Sequence, residues 1–387
     1  SANCYVVNAP GWYKIPLYYG NSLNNSSGYG TPTFQNHAGI HISSENCKFS
    51  SSVTSGKLLW QDEYALITPS SISKTSDGYL KFYVSPDAIA QGNAVIAALD
   101  GSNQILWSWH IWVTNMKLTE RVNILSGENC ETNYPFMTQP VGYCEASTLR
   151  YPQRDFIVTI KQGTSCKLAA ARISQQSAKT QSVAQNCTFY QWGRKDPFPG
   201  ARSDDNTTSL QKLCYDADGN QFEYTKKGGN TTSGDGKQTM AGSIQNPTTF
   251  YYSYTTDSWD SQDNDWCSTT YNDNWSKLTG TGFDDDVPTK TVYDPCPIGF
   301  KMPDSLAFTR FTTDGQNHNS SQSGWQNYVN ASNKTQYSSD KGYSFYTQNN
   351  GTGTTDFWYA FGFIDCWIDR YSSTGSGCLA YAGFGGP

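Results

Sequence analysis

The chain has 387 residues, of which 14% are aromatic and 16% are charged, and its formal net charge is −6. This length suffices for two domains with separate cores. The sequence offers no basic patch beyond Lys226-Lys227, so we expect no nucleic-acid partner. No apolar run approaches eighteen residues, so we also expect no direct membrane span. The 26 Tyr and 12 Trp, set among many Ser, Thr and Asn, are typical of an extracellular β-rich protein.

Residues 1–122 are predicted to form a β-sandwich of the immunoglobulin-like or pilin-like kind. Short apolar runs are separated by turn sequences, among them Asp77-Gly78 and Asp100-Gly101, which favour hairpins. The predicted strands are Cys4–Val7, Ile15–Tyr19, Lys57–Trp60, Tyr79–Val84, Ala94–Leu99 and Ile105–Val113. In the last run Trp107, Trp109, Ile111 and Val113 alternate with Ser108, His110, Trp112 and Thr114. This alternation predicts a strand that is buried on one face.

Residues 123–387 are predicted to form a second, α+β domain. Phe156–Ile160 has the composition of a strand, and Leu168–Ile173 is predicted to pair with it. Residues 200–290, which include Lys226-Lys227, are predicted to lie mostly in loops because they are rich in Gly, Asn, Ser and Thr.

Residues 290–304, here called the proline segment, are predicted to be the structural centre of the second domain. Pro295 and Pro297 each remove a backbone donor and extend the residue before them. Cys296, between them, is a candidate disulfide partner, and Asp304 is predicted to cap a short helix.

Eleven cysteines without a C-x-x-C pair favour disulfides in an oxidising compartment over a zinc or thioredoxin-type motif. The local candidates are Cys130–Cys144 and Cys366–Cys378. Each bridge would close a short loop and stabilise the fold by about 3 kcal/mol. Buried free thiols are the alternative, and the odd count leaves at least one thiol unpaired within the chain.

The sequence carries no motif of the common hydrolases, phosphate loops or dinucleotide sites, so we predict a protein that is not an enzyme. Paired carboxylates such as those of residues 284–286 keep a secreted glycan-active enzyme as an alternative. His37 and His41 are spaced i, i+4, but Gly39 between them favours a turn over a metal site.

No cofactor is predicted. Residues 216–220 begin like a calcium-binding loop, yet Lys227 replaces the Glu of the twelfth position. A hairpin is therefore the favoured interpretation, and Ca²⁺ binding is the alternative.

Several motifs resemble those of a known family. Asn3-Cys4-Tyr5-Val6-Val7 and Trp107-Ser108-Trp109-His110-Ile111-Trp112-Val113 resemble the paired modules of Bacteroidales surface and fimbrial-tip proteins. Tyr190-Gln191-Trp192-Gly193-Arg194-Lys195-Asp196-Pro197-Phe198 and Asp294-Pro295-Cys296-Pro297 resemble the major paralogous domain first named in Fibrobacter. The resemblance implies a C-type-lectin-like fold for residues 123–387. It also implies a cell-surface location, attached to the outer membrane or within a fimbrium.

Two aromatic segments are the candidate ligand-binding sites. Nine aromatic residues fall within the 28 positions 357–384, where Trp367, Asp369, Arg370 and Tyr371 mix charge with large rings in the manner of binding hot spots. A Cys366–Cys378 bridge would pre-organise this loop. The second segment carries Trp259, Asp263, Asp265 and Trp266, which suit a sugar ring. Inward packing of these Trp side chains is the alternative in both segments.

We therefore expect an adhesin whose lectin-like domain binds a host or microbial glycan or a surface protein, with other pilus subunits as further partners. A purely structural pilus or surface subunit without a ligand is the competing hypothesis.

Overall fold

A computed structural model describes residues 1–22, 34–126, 132–139, 141–145, 147–151, 153–163, 167–175, 179–183, 188–191, 193–199, 213–230, 238–254, 275–277, 289–301, 335–338 and 342–345. This part of the chain is mainly β and contains several separate sheets. Within these ranges no helix has both the length and the apolar composition needed to cross a membrane.

The described elements include strands, a short α-helix and a 3-10 turn at Pro69–Ser71. The strands are β1 Cys4–Val7, β2 Gly11–Pro16, β3 Ser55–Gln61, β4 Ser73–Lys74, β5 Tyr79–Val84, β6 Gly92–Leu99, β7 Ile105–Val113, β8 Arg121–Ser126, β9 Thr132–Met137, β10 Ser147–Tyr151, β11 Arg154–Gln162, β12 Lys167–Gln175, β13 Lys179–Val183, β14 Thr225–Asn230, β15 Thr249–Tyr254, β16 Ser276–Lys277, β17 Thr289–Lys290, β18 Thr335–Ser338 and β19 Gly342–Phe345. The helix α1, Met240–Gln245, lies between β14 and β15.

The largest described sheet has the order β1-β7-β6-β3, with β1 parallel to β7 and the other pairs antiparallel. The prediction that β7 is buried on only one face was wrong, because both of its faces are covered. On one face Trp109 stacks on Phe49. On the other, His110 contacts Tyr190 and Trp112 donates to the Tyr143 carbonyl. Residues from beyond position 122 therefore cover the second face of β7.

A three-stranded sheet, β2-β5-β4, packs against this central sheet. Its Ile15, Leu80 and Phe82 belong to the same core cluster as the buried side chains of β3, β6 and β7. At Gly56 of β3 a Cβ would lie 2.5 Å from the Leu80 side chain, so this close approach requires glycine. Burial of each large apolar side chain contributes about 1.5–3 kcal/mol.

Strand β2 lies further towards the N-terminus than predicted. The sequence predicted residues 15–19, whereas pairing with β5 runs from Gly11 to Pro16. Trp12 pairs with Tyr83, and Leu17, just beyond the strand, is buried in the core. Cross-strand aromatic pairs stabilise a sheet, which accounts for the earlier start.

Two further pairs test the predictions for the second half of the chain. The predicted hairpin is confirmed, because β11 pairs with β12 in an antiparallel register from Arg154↔Gln175 to Gln162↔Lys167. The prediction of a loop around Lys226-Lys227 was wrong, because β14 pairs in parallel with β15. The Lys-Lys-Gly-Gly sequence of β14 has no apolar alternation, so its own composition does not predict a strand. Pairing with β15 is what makes this segment a strand.

Residues 290–301 of the proline segment pack against the N-terminus of the chain. The Asn3 side-chain amide donates to the carbonyls of Val292 at 2.7 Å and Asp294 at 2.9 Å. Gly20, with φ +44°, approaches this segment so closely that a Cβ would lie 2.0 Å from the Val292 oxygen. Tyr293 is fully buried and stacks on Trp107.

Contacts therefore cross the predicted domain boundary at residue 122. Val292, Tyr293 and Cys296 share one core cluster with strands β1 and β7. Division of the chain into two modules at residue 122 stays a prediction. The helix expected after Asp304 lies outside the described residues.

Candidate functional site

The outer side of the β2–β5 pair carries a row of aromatic and lysine side chains. Alternation along the two strands turns Ile15 and Leu80 inwards and leaves the row facing away from the core. We call it the aromatic–lysine face, and its members are Trp12, Lys14, Tyr79, Lys81 and Tyr83. Trp12 lies opposite Tyr83, with ring centroids 5.0 Å apart, and is 61% exposed.

The two lysines of this face lie directly opposite each other, since Lys14 pairs with Lys81 in the register. Like charges in such a position repel. The side chains lean apart along the strands, because the Lys81 ammonium lies 5.0 Å from the Trp12 ring and the Lys14 ammonium 4.3 Å from the Tyr79 ring. Each cation is thus placed over the aromatic ring diagonal to it.

One carboxylate accompanies these two cations. Lys14 Nζ donates to Asp77 Oδ2 at 2.9 Å, and this hydrogen bond raises the pKa of Lys14. Hydrogen bonds from Thr75 and then Lys14 lower the pKa of Asp77. Both partners are more than half exposed, so solvent screens their interaction. Among the described residues, no carboxylate forms an ion pair with Lys81.

Chemically, this face offers flat apolar rings beside exposed ammonium groups. A ligand with an apolar ring surface can cover Trp12 and Tyr83, which gains hydrophobic free energy without moving the strands. Because regular strands hold the row, little conformational entropy is lost on binding.

The hairpin of β11 and β12, here called the ribbon, is the second exposed surface. Its register places six apolar side chains on one face: Phe156, Val158 and Ile160 from β11 and Ile173, Ala171 and Ala169 from β12. The other face is mixed and carries an ion pair between Asp155 and Arg172. Among the described strands, β11 and β12 pair only with each other. Exposed apolar strips of this kind are typical of protein contacts.

A chain of buried polar groups runs along one face of the central sheet through His110. The Asn93 amide nitrogen donates to Asp62 Oδ2 at 2.9 Å and to the Gly142 carbonyl at 2.8 Å, which leaves Asn93 Oδ1 as an acceptor. His110 Nε2, 2.9 Å from that oxygen, must therefore carry the proton. His110 Nδ1 then accepts from the Tyr190 hydroxyl at 2.8 Å.

This arrangement keeps His110 neutral. Burial lowers its pKa to about 3. His110, Asn93 and Asp62 are all almost fully buried, so no substrate reaches the imidazole. The hydrogen bonds instead hold β6 and β7 against residues 141–145 and 188–191. His110 is therefore a buried residue of strand β7.

A buried ion pair lies beside β7. Lys195 Nζ donates to Asp196 Oδ1 and to the Ser108 hydroxyl, both at 2.6 Å, and lies 4.5 Å from the Trp107 ring. Burial lowers the pKa of Lys195 to about 8, although Asp196 opposes the shift. Because Lys195 Nζ, Asp196 Oδ1 and the Ser108 hydroxyl bond to one another, this group joins β7 to residues 193–199.

Arg194, next to this pair, is also buried and fastens the C-terminal end of α1. Its guanidinium donates to the carbonyls of Asn246 and Pro247, both at 3.2 Å. Cations are favourable at this end of a helix. Burial lowers its pKa to about 10, and the guanidinium lies 5.0 Å from the Phe198 ring. The Gly193-Arg194-Lys195-Asp196-Pro197-Phe198 motif is thus a packing element.

The predicted ligand residues lie outside the described part of the chain. They are Trp259, Asp263, Asp265, Trp266, Trp367, Asp369, Arg370 and Tyr371. Cys130, Cys366 and Cys378 are also outside it, so both predicted disulfides stay predictions. The Cys144 sulfur is buried, 3.3 Å from the Asn93 amide nitrogen. Cys4 and Cys47 are buried free thiols, as the alternative interpretation of the cysteines allowed.

The candidate metal-binding sequences form local turns. Asp216 Oδ1 accepts from the backbone of Asp218 and Asn220, and Tyr215 bridges to Gln221, which agrees with the hairpin interpretation. Asn36 Oδ1 organises the turn that contains His37 in the same way. Over the described ranges, no group of three or more His, Cys, Asp or Glu side chains has metal-binding spacing.

Comparisons of the chain with family models, curated proteins and solved structures gave no match. The resemblance to Bacteroidales surface proteins therefore stays a prediction that rests on the motifs alone.

The aromatic–lysine face was not predicted from the sequence. Its signal was present, because Trp12 and Lys14 alternate with apolar residues, as do Lys81 and Tyr83. Placing the strand at residues 15–19 excluded Trp12 and Lys14 from it. A strand beginning at Gly11 would have exposed the pattern.

Proposed function

We propose that the protein is a non-enzymatic surface adhesin that binds a saccharide and is attached to the outer membrane or part of a fimbrium. We further propose that residues 1–122 form a β-sandwich and residues 123–387 a C-type-lectin-like domain. The motif resemblance supports the second domain, and the common core of the two N-terminal sheets supports the first.

The observation that carries this proposal is the Trp12–Tyr83 pair on a regular strand pair, in which Trp12 is 61% exposed and Tyr83 is half-buried. An exposed Trp leaves much apolar surface in water, and a sugar ring is flat enough to cover it while its hydroxyls stay hydrated. The adjacent ammonium groups provide hydrogen-bond donors at the edge of the platform. Under this proposal, Trp367, Asp369, Arg370 and Tyr371 form a second contact region in the lectin-like domain.

A glycan array probed with the full chain tests the proposal. Trp12→Ala should weaken binding, whereas Phe156→Ala, which removes an exposed aromatic ring of the ribbon, should not. Loss of binding in Trp367→Ala but not in Trp12→Ala would show that the saccharide site lies in the C-terminal segment. If the wild-type chain binds no saccharide, the proposed function is wrong.

The ribbon favours a second candidate function, that of a structural subunit. A two-stranded sheet with an exposed apolar face, whose strands pair with no other described strand, can pair with a strand of a neighbouring subunit. Val158→Asp on the apolar face should then abolish assembly measured by sedimentation, while Thr159→Asp on the other face should not. If both variants assemble like the wild type, the ribbon has no such role.

A further inference from the structure

We propose that the aromatic–lysine face binds an acidic polysaccharide, that is, an extended sugar chain bearing carboxylate or sulfate groups. The proposal deepens the proposed function and rests on it, because it names the class of saccharide. It follows from three features of the face: the excess of positive charge, the spacing of its two cation–aromatic units, and the weakness of its one ion pair.

The charge of the face is opposite to that of the chain as a whole. Lys14 and Lys81 stand against the single carboxylate of Asp77, so the local net charge is about +1 while the chain carries −6. The like-charged pair opposes folding of the two strands. A bound anion between or beside the lysines removes this repulsion, so charge complementarity favours an acidic ligand over a neutral one.

The spacing of the face favours a polymer over a single sugar. One unit is Lys81 over Trp12, which lies opposite Tyr83, and the other is Lys14 over Tyr79. Tyr79 and Tyr83 are four residues apart on β5, which corresponds to about 14 Å along a strand. One sugar ring is shorter than this distance, so an extended chain is needed to stack at Trp12 and also meet Lys14.

The Lys14–Asp77 pair does not prevent binding. Both side chains are exposed to a similar extent, and such pairs are weak because water competes for each partner. A sugar carboxylate or sulfate can accept from Lys14 while Asp77 turns to solvent, and Thr75 keeps a hydrogen bond to Asp77.

The same face is poorly suited to nucleic acid, the other common polyanion with flat rings. Polynucleotide affinity is built from several phosphate contacts, each made by a cation. An excess of about one positive charge supplies too few of them. Single-stranded DNA is therefore a control ligand in the test.

The experiment measures binding of the full chain to polygalacturonate and to its carboxyl-reduced, neutral form by isothermal titration calorimetry, at low and high salt. We expect binding to the acidic polymer only, weakened by salt. Trp12→Ala should weaken it at least about tenfold. Lys81→Gln should weaken it about two- to fivefold and reduce the salt dependence.

Lys161→Gln, which removes an exposed lysine of the ribbon, is the matched control and should bind like the wild type. Circular dichroism of each variant checks the fold, and Trp12→Phe, which keeps a ring, should retain more binding than Trp12→Ala. Equal affinity for the neutral polymer would overturn the acidic specificity and leave saccharide binding intact. Equal binding of oligo-dT would overturn the ligand class, and wild-type affinity in both Trp12→Ala and Lys81→Gln would overturn the site.

Discussion

Strands β6 and β11 have similar apolar runs and lie in opposite environments. Every residue of β6 is buried, whereas every residue of β11 is exposed. The difference lies in their neighbours. β6 has a strand on each side and side chains packed on both faces, while β11 pairs only with β12 among the described strands. An apolar run therefore specifies strand pairing, and a second layer from elsewhere in the chain determines burial.

The largest difference between the buried and exposed regions should come from their ion pairs. Asp196→Ala leaves the Lys195 ammonium buried without its carboxylate and should lower the free energy of unfolding by about 3–5 kcal/mol. Asp155→Ala removes the carboxylate of the exposed pair in the ribbon and should not change stability measurably. Urea unfolding of both variants gives the comparison.

A double variant separates loss of charge from loss of packing. Lys195→Met with Asp196→Asn removes both charges and keeps a hydrogen-bond acceptor for Ser108, so it should recover part of the lost stability. Equal stability of Asp196→Ala and Asp155→Ala would show that burial of the first pair has no energetic consequence.

Matched isoleucines give the next largest difference. Ile96 in β6 is fully buried and Ile157 in β11 is 74% exposed. Ile96→Ala should destabilise the protein by about 2–5 kcal/mol, because it removes buried methyl groups and leaves a cavity. Ile157→Ala should stay within about 0.5 kcal/mol of the wild type. A large loss in Ile157→Ala would mean that the ribbon is covered in solution.

The smallest effect concerns His110 and is visible in the pH dependence of stability. The pKa of His110 is lowered from 6.5 to about 3 in the folded chain. Between these values the unfolded state binds the extra proton, so the free energy of unfolding falls as the pH is lowered. The slope contributed by this group approaches about 1.4 kcal/mol per pH unit.

His110→Gln should remove that contribution, and its unfolding free energy should fall less steeply than that of the wild type between pH 6 and pH 4. His41→Gln, which replaces an exposed histidine, is the control for the substitution itself. Urea unfolding at several pH values measures all three proteins, and parallel curves for His110→Gln and the wild type would contradict the assignment.

The sequence predicted which segments form strands and pair better than it predicted which residues cover the faces of a sheet. The hairpin of β11 and β12 and the strand at Ile105–Val113 were correct, because β-branched and aromatic runs define strands. The cover on the second face of β7 includes Tyr143 and Tyr190, which lie 31 and 80 positions from their contacts in β7, and no local pattern shows it. Strand β14 was missed because its partner defines it.

The candidate site was even harder to predict. The local density of rings and charges in the sequence favoured the segments around Trp259 and Trp367. The aromatic–lysine face is made by two strands whose members are far apart in the chain, as Trp12 and Tyr83 show. Only the strand register brings its cations over its rings.

The contact between Asn3 and the proline segment has a consequence for the order of folding. Its two hydrogen bonds join residues separated by 289 and 291 positions. At a synthesis rate of roughly 5–20 residues per second, Asn3 waits roughly 15–60 s before the proline segment exists. Strand β1 can pair with β7 much earlier, but its contact with Pro297 forms late, so nascent chains stopped before residue 291 should keep Asn3 and that side of β1 accessible to a chaperone.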